Sequence, residues 1–302
     1  VPAGDLLDRD NQVEWRGVLL GSGTPYRSIS LEGWQDLPAL RGTNQVLSGF
    51  HGNRPGQLTA DQRTVTLNFR LSQRLADFRA SVAELRRLTA PTENPVEEAL
   101  AVQIDGQKYL VMARCHRRAI PTDKHYAIGH TVGAVQWVST NPRQWLLPRK
   151  TAQAKLATDP TGGLVFPLVF PLDFGQATSG GGFPAPLENT GSVDSWPIWR
   201  ITGPCTGPVI TDLTTGASQL RFNPDWQIPA GQVVEIDTRP GVRTVTFVDP
   251  TTFASLDISA SAQLWTRQWF PIPAGGSVRV GFTAGSYEAA AALDALWYDE
   301  NM

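Results

Sequence analysis

Several ingredients are scarce in this chain of 302 residues. Only two cysteines occur, Cys115 and Cys205. That excludes a disulfide framework and leaves one bridge or two free thiols, of which free thiols suit a reducing compartment. No apolar run approaches the ~20 residues that a membrane-spanning helix requires. The longest candidate, Leu164 to Leu172, is interrupted by Pro167 and Pro171. The opening Val-Pro-Ala-Gly-Asp has neither a basic region nor an apolar core, so no secretory signal is expected there. Charge is also thin: charged residues make up 18%, and 26 Lys+Arg stand against 28 Asp+Glu. A net charge of −2 argues against a general nucleic-acid binder. No Gly-Lys pair exists, which removes the P-loop, whose lysine must reach the phosphates. The G-x-S-x-G, H-E-x-x-H and C-x-x-C patterns are absent as well.

What is present is a globular, turn-rich composition. Hydrophobic residues reach 41%, with ten Trp, 28 Gly and 23 Pro, which fits a β-rich protein with a sizeable core. The length predicts two domains or one large one. Residues 1–150 hold 19 cationic against 14 anionic side chains, a balance of +5, whereas residues 151–302 hold 7 against 14, a balance of −7. All four histidines lie in the first half. This shift supports two domains with different surfaces.

In the first half, short strands are expected at 16–21, 26–31 and 64–71. The last alternates, with Val65, Leu67, Phe69 and Leu71 on one face. Residues 41–56, rich in Gly and Asn, read as loop. From Leu75, apolar residues Phe78, Val82, Leu85 and Leu88 follow at spacings of three or four, predicting a helix over 75–89 that Pro91 ends. Residues 101–113 read as a hairpin turned at Asp105-Gly106, the pair that a type I′ turn demands. A breaker-rich stretch predicts a connecting arm over 151–188. Beyond it, strands at 196–202, 219–222, 232–237, 243–248, 264–270 and 277–283, with turns every 8–12 residues, carry the rhythm of a sandwich. The alanine-rich tail fits either a helix or an edge strand at 295–298.

Candidate chemistry is sparse. Cys115-His116 with His125 and His130 offers zinc-type ligands, but strand neighbours point to opposite faces, so a metal site is not expected. Arg114, Arg117 and Arg118 form a basic patch able to meet phosphate or an acidic partner surface; the plain alternative is a solvated loop edge. The adjacent acids Glu97-Glu98 and Asp299-Glu300 carry no burial signal as acid/base pairs. Gly180-Gly-Gly182 opens no helix and is a poor phosphate cradle. Trp196, Trp199, Trp226, Trp265 and Trp269 crowd the second half as sandwich core or as sugar platforms, with core favoured. No cofactor or catalytic residue is expected.

The second half carries a recognisable string. Asn189-Thr-Gly-Ser-Val-Asp-Ser-Trp-Pro-Ile-Trp-Arg-Ile-Thr-Gly-Pro-Cys-Thr-Gly-Pro-Val-Ile resembles the start of the C-terminal domain of siphophage distal tail (Dit) proteins. Gly231-Gln-Val-Val-Glu-Ile-Asp-Thr-Arg and Trp269-Phe-Pro-Ile-Pro-Ala-Gly-Gly-Ser-Val-Arg-Val-Gly-Phe continue the likeness. Gly21-Ser-Gly-Thr-Pro-Tyr, His51-Gly52 and Arg63-Thr-Val-Thr-Leu resemble the N-terminal domain of that family more loosely. The resemblance implies a mainly β chain: an N-terminal split β-barrel with one α-helix over 1–150 and a galectin-like β-sandwich over 189–302. It further implies a non-enzymatic virion protein at the tail tip, assembled in the host cytoplasm. Such a protein forms a homohexameric ring between the tail tube protein and the tail-tip or baseplate proteins, with host wall glycans as an alternative partner. The opposite charges of the two halves would steer stacking of tail components.

Overall fold

The alternation over Val65, Leu67, Phe69 and Leu71 builds a strand of the first of two units that is paired on both sides. In the computed structural model, which describes residues 2–93, 96–156, 181–249, 255–259, 263–285 and 288–302, all four are buried and the intervening residues face outward. One unit comprises Val1–Pro148 with Asn301–Met302, the other Arg149–Glu300. The fold is mainly β.

The first unit holds β1 (Gln12–Trp15), β2 (Val18–Gly21) and β3 (Tyr26–Glu32). Four short strands follow: β4 (Leu40–Gly42), β5 (Gln45–Val46), β6 (Asn53–Arg54) and β7 (Leu58–Ala60). Then come β8 (Arg63–Ser72), helix α1 (Leu75–Leu88), β9 (Glu98–Ile104), β10 (Gln107–Ala119), β11 (His130–Ser139) and the start of β12 (Gln144–Lys155). The strands pair in the order β2-β1-β9-β10-β11-β8-β3 without closing into a barrel. β8 and β11 form a ten-residue ladder from Arg63↔Ser139 to Ser72↔His130.

Asp105 and Gly106 both take positive φ, 52° and 72°, as the I′ turn requires. A second such turn, Arg16-Gly17 at 49° and 73°, joins β1 to β2. The strand expected over 16–21 therefore starts only at Val18, and β1 was not foreseen.

Helix α1 buries Phe78, Ser81, Val82, Leu85 and Leu88. Leu75, counted in the apolar stripe, is instead exposed. Side chains from the sheet take the carbonyls at its C-terminus, which have no partner within the helix. Trp15 Nε1 and Arg16 Nη1 each donate to the Leu88 carbonyl at 3.0 Å, and Arg118 Nη1 donates to that of Arg86 at 3.1 Å.

The stretch expected as loop over 41–56 is a ribbon. β4 pairs with β7 and β5 with β6, and neither pair joins another sheet. Its base is pinned by Arg63, whose side chain is fully buried. Nη1 faces the carbonyls of Gly33, Trp34 and Asp36 at 3.0, 2.8 and 2.9 Å, and Nε donates to that of Pro142 at 2.8 Å. Gln144 Nε2 also donates to the Trp34 carbonyl, at 2.8 Å. Gly33, with φ at +77°, is the only residue type that fits there, since a Cβ would lie 1.9 Å from the Thr64 carbonyl oxygen.

The second unit begins in β12, whose strand extends to Lys155, so residues 151–155 are not part of a connecting arm. The remainder of that expected arm over 157–180, including Gly180, lies outside the described residues. It continues with β13 (Leu187–Asn189), β14 (Ile198–Thr202), β15 (Cys205–Thr206), β16 (Val209–Asp212), β17 (Gln219–Phe222), β18 (Gln227–Ile228) and β19 (Val233–Asp237). β20 (Thr244–Val248), β21 (Ser255–Asp257), β22 (Leu264–Arg267), β23 (Gly276–Val278), β24 (Val280–Thr283) and β25 (Ala292–Asn301) complete it. One layer runs β25-β14-β19-β20-β21 and the other β22-β17-β16-β24. Between them Trp199, Ile201, Ile210, Phe222, Ile236 and Phe282 form the core of a sandwich. The tail is strand rather than helix, and it lies inside its sheet rather than at an edge: β25 pairs along β14, and Lys150 and Gln153 of β12 reach Asp299 and Asp294 from its other side.

Replacing Arg63 by Ala removes the side-chain donor to the Gly33, Asp36 and Pro142 carbonyls, while Gln144 still serves that of Trp34, and is expected to cost about 3 kcal/mol of stability, read as a lower urea midpoint.

Candidate functional site

The three arginines of the expected patch do different things. A bulge in β10 at His116 shifts the pairing with β11 between Cys115 and Arg117, and this changes which way successive side chains face. Arg118 turns to the helix: beyond the Arg86 carbonyl, its Nη1 donates to Thr89 Oγ1 at 2.6 Å. A cation at a helix C-terminus also complements the helix dipole. Arg114 lines a small cavity of about 60 Å³ with Trp15, Arg16, Pro91, Glu98 and Cys115. Arg117 is exposed. Arg117 and Arg118 both lie beyond the bulge and are exposed, and Arg118 bonds the end of the helix.

The acids and thiols are likewise structural. Glu98 is ion-paired with Arg16, whose guanidinium holds the carboxyl below its usual range. Asp299 and Glu300, expected without burial, are both buried. Asp299 pairs with Lys150 Nζ at 2.7 Å and accepts the Thr190 hydroxyl at 2.5 Å, while Glu300 accepts the Trp196 amide at 3.4 Å. Such partners make an interior carboxylate tolerable. Burial pushes the Cys205 thiol up to about 12 and also raises that of Cys115, so both are poor nucleophiles at neutral pH. His125 and His130 stack edge to face at 6.1 Å. Among the described residues no three His, Cys, Asp or Glu side chains gather as a metal site.

Of the five tryptophans singled out in the sequence of the second half, Trp199 is fully buried, and Trp226 and Trp269 pack against the core. Trp196 is half-buried under Arg243, whose guanidinium lies 5.9 Å from the ring centroid. Trp265 differs: it is 59% exposed, next to a register shift between β17 and β22. A groove of about 550 Å³ lies elsewhere on the sandwich, with Phe183, Pro184, Leu213 and Arg279 among its walls.

The largest unpartnered surface was not anticipated. On the ribbon, Leu37, Leu40, Val46, Leu47, Phe50 and Leu58 are all exposed, Val46 at 82% and Phe50 at 80%. The only hint in the sequence was apolar residues inside a Gly- and Asn-rich stretch, where no periodicity points them at a core.

Arg118→Ala is expected to cost about 1 kcal/mol and Arg117→Ala to stay within about 0.5 kcal/mol, compared by thermal unfolding. Equal effects would remove the helix-capping role.

No protein-family model matches the chain, and no curated protein does. Solved structures do. The SPP1 Dit protein, described as a paradigm of the hub adsorption apparatus in phages infecting Gram-positive bacteria, superposes with a TM-score of 0.60 at 11% identity, over 96% of this chain and 99% of that one. A chain of the phage P2 baseplate, in its calcium-activated conformation, gives a TM-score of 0.50 at 11% identity, over 95% and 97%. Along nearly its whole length, the chain has the fold of these phage hub and baseplate proteins.

Proposed function

We propose that this chain is a structural phage-tail protein, a ring-forming hub at the distal end of the tail tube. In this reading it joins the tube to the tail-tip or baseplate proteins that attach to the host, has no catalytic role and resides at the virion tail tip. The observation that carries the reading is end-to-end similarity of fold to the SPP1 Dit protein, in both units and in their order along the chain. The ion pair of buried Asp299 with Lys150 and the raised Cys205 thiol support a role by geometry rather than by chemistry.

A hub of this kind works through repeated head-to-tail contacts, which close when the rotation per subunit divides the circle. Six copies of 32.9 kDa give a ring of roughly 200 kDa. Light scattering on the purified chain is expected to read that mass, and a monomer at all concentrations would count against the ring.

One observation favours a second reading, in which the sandwich also contacts host-wall glycans. Trp265 presents an aromatic face to solvent with Arg267 and Arg221 exposed nearby on β22 and β17, a combination of apolar platform and polar rim. Binding to host-wall polysaccharide that Trp265→Ala reduces at least tenfold supports it; absence of binding by the unaltered chain overturns it.

A further inference from the structure

We propose that the outer face of the β25-β14-β19 layer binds an acidic segment of an adjoining tail protein, with the guanidiniums of Arg149 and Arg243 as its contacts to carboxylate. The inference rests on the hub reading and gives the chemistry of one partner contact.

The first support is strand register. Trp199 and Ile201 of β14 face the core, so Ile198 and Arg200 face outward. Across the ladders Arg200 stands opposite Glu235 and Asp294, and Ile198 stands opposite Asp237 and Leu296. At the end of that face Ser195 Oγ donates to the Tyr298 carbonyl at 2.6 Å, which sets Trp196 beside Tyr298. Each of these rings carries an arginine. The Arg149 guanidinium lies 5.6 Å from the Tyr298 ring centroid, and that of Arg243 lies 5.9 Å from the Trp196 ring. Arg239 joins them through a turn in which the Arg243 amide donates to the Arg239 carbonyl at 3.2 Å.

The second support is unbalanced charge. Residues 151–302 hold only 7 cations against 14 anions, yet Arg200, Arg239 and Arg243 gather here with Arg149. Arg200 pairs with Glu235 at 2.7 Å and Arg239 with Asp237 at 2.5 Å. Glu300, which is buried, also acts on Arg239. Arg149 and Arg243 have no ion pair among the described residues, and Arg149 Nε is buried without a hydrogen-bond partner. Burial lowers the Arg149 pKa, and the charges of Arg200 and Arg239 add to that effect, although an arginine stays protonated. Four guanidiniums thus meet three carboxylates. A half-buried cation without a counter-ion is costly to hold, and a carboxylate from outside the chain supplies the missing charge.

The third support concerns the occupant. A guanidinium stacked on an aromatic ring keeps its N–H edge free for a two-point contact with a carboxylate. It is also held in place, which lowers the ordering cost of binding. The same stacking takes up one face of each ring, so the pair offers no open platform for a sugar, in contrast to Trp265. Arg, Trp and Tyr are the residue types that dominate contacts between proteins. Exposed Val242 and half-buried Ile198 and Leu296 add apolar surface beside them. A protein segment with acidic side chains fits this combination, and the opposite charges speed its encounter with the face.

The test uses the full-length chain and a fluorescein-labelled peptide of alternating Glu and Gly, read by fluorescence anisotropy at low salt (~50 mM), where screening is weak. The parent is expected to bind this peptide and to ignore its Gln-Gly counterpart. Arg149→Gln with Arg243→Gln is expected to weaken binding about tenfold. Arg221→Gln with Arg279→Gln removes the same charge from the other layer and is expected to leave binding unchanged. Equal weakening by both pairs would reduce the effect to net charge and overturn the site. No binding by the parent overturns it as well, and so does inorganic polyphosphate binding where the Glu peptide does not, since the partner would then be no acidic protein. Arg243→Glu alone, at an exposed position, is expected to keep the parent's melting temperature while weakening binding to a similar degree; full binding by it would contradict the inference. Light scattering on the same samples separates the two readings. A ring mass without peptide binding overturns this contact alone, whereas peptide binding by a permanent monomer overturns the ring alone.

Discussion

The buried guanidinium of Arg63 is the constraint on which the first unit turns. A cation taken out of water needs acceptors, and here those of Nε and Nη1 are backbone carbonyls rather than a carboxylate. Those carbonyls belong to segments far apart in sequence, so one side chain fixes the loop holding Trp34 and the turn before β12 together. Burial lowers the Arg63 pKa, yet an arginine starts so high that it stays charged throughout the physiological range. The ribbon therefore departs from a fixed point.

Much of this fold was legible in the residues because local pattern and global packing agree. The alternation in β8, the helical stripe from Phe78 to Leu88 and the Asp105-Gly106 turn each appear in the structure. The failures have physical causes. In β1 the four residues Gln-Val-Glu-Trp are too few for their alternation to stand out, and every one is buried, Gln12 and Glu14 included. Glu14 is satisfied by the amides of Gly4 and Leu6, a contact that no local pattern reports. The final strand is rich in alanine, and helix propensity yields there to pairing with β14 on one side and contacts from β12 on the other.

The candidate sites were less legible. Spacing alone placed Arg114, Arg117 and Arg118 together, and it does not report the register shift that lies between Arg114 and the other two. Asp299 and Glu300 looked like exposed terminal acids because their partners, Lys150, Thr190 and the Trp196 amide, come from more than 100 residues away. Trp196, Trp199, Trp226, Trp265 and Trp269 divide between core and surface on strand register, which composition does not contain. The ribbon is the clearest case: its apolar residues serve no core of their own chain, so a search for periodicity passes over them.

The two units each have a core of their own. The most direct test of the proposed hub role is electron microscopy of the purified full-length chain, with end-on views averaged without imposed symmetry. The account predicts closed six-fold rings. Isolated single subunits, or open filaments of head-to-tail copies, would contradict it.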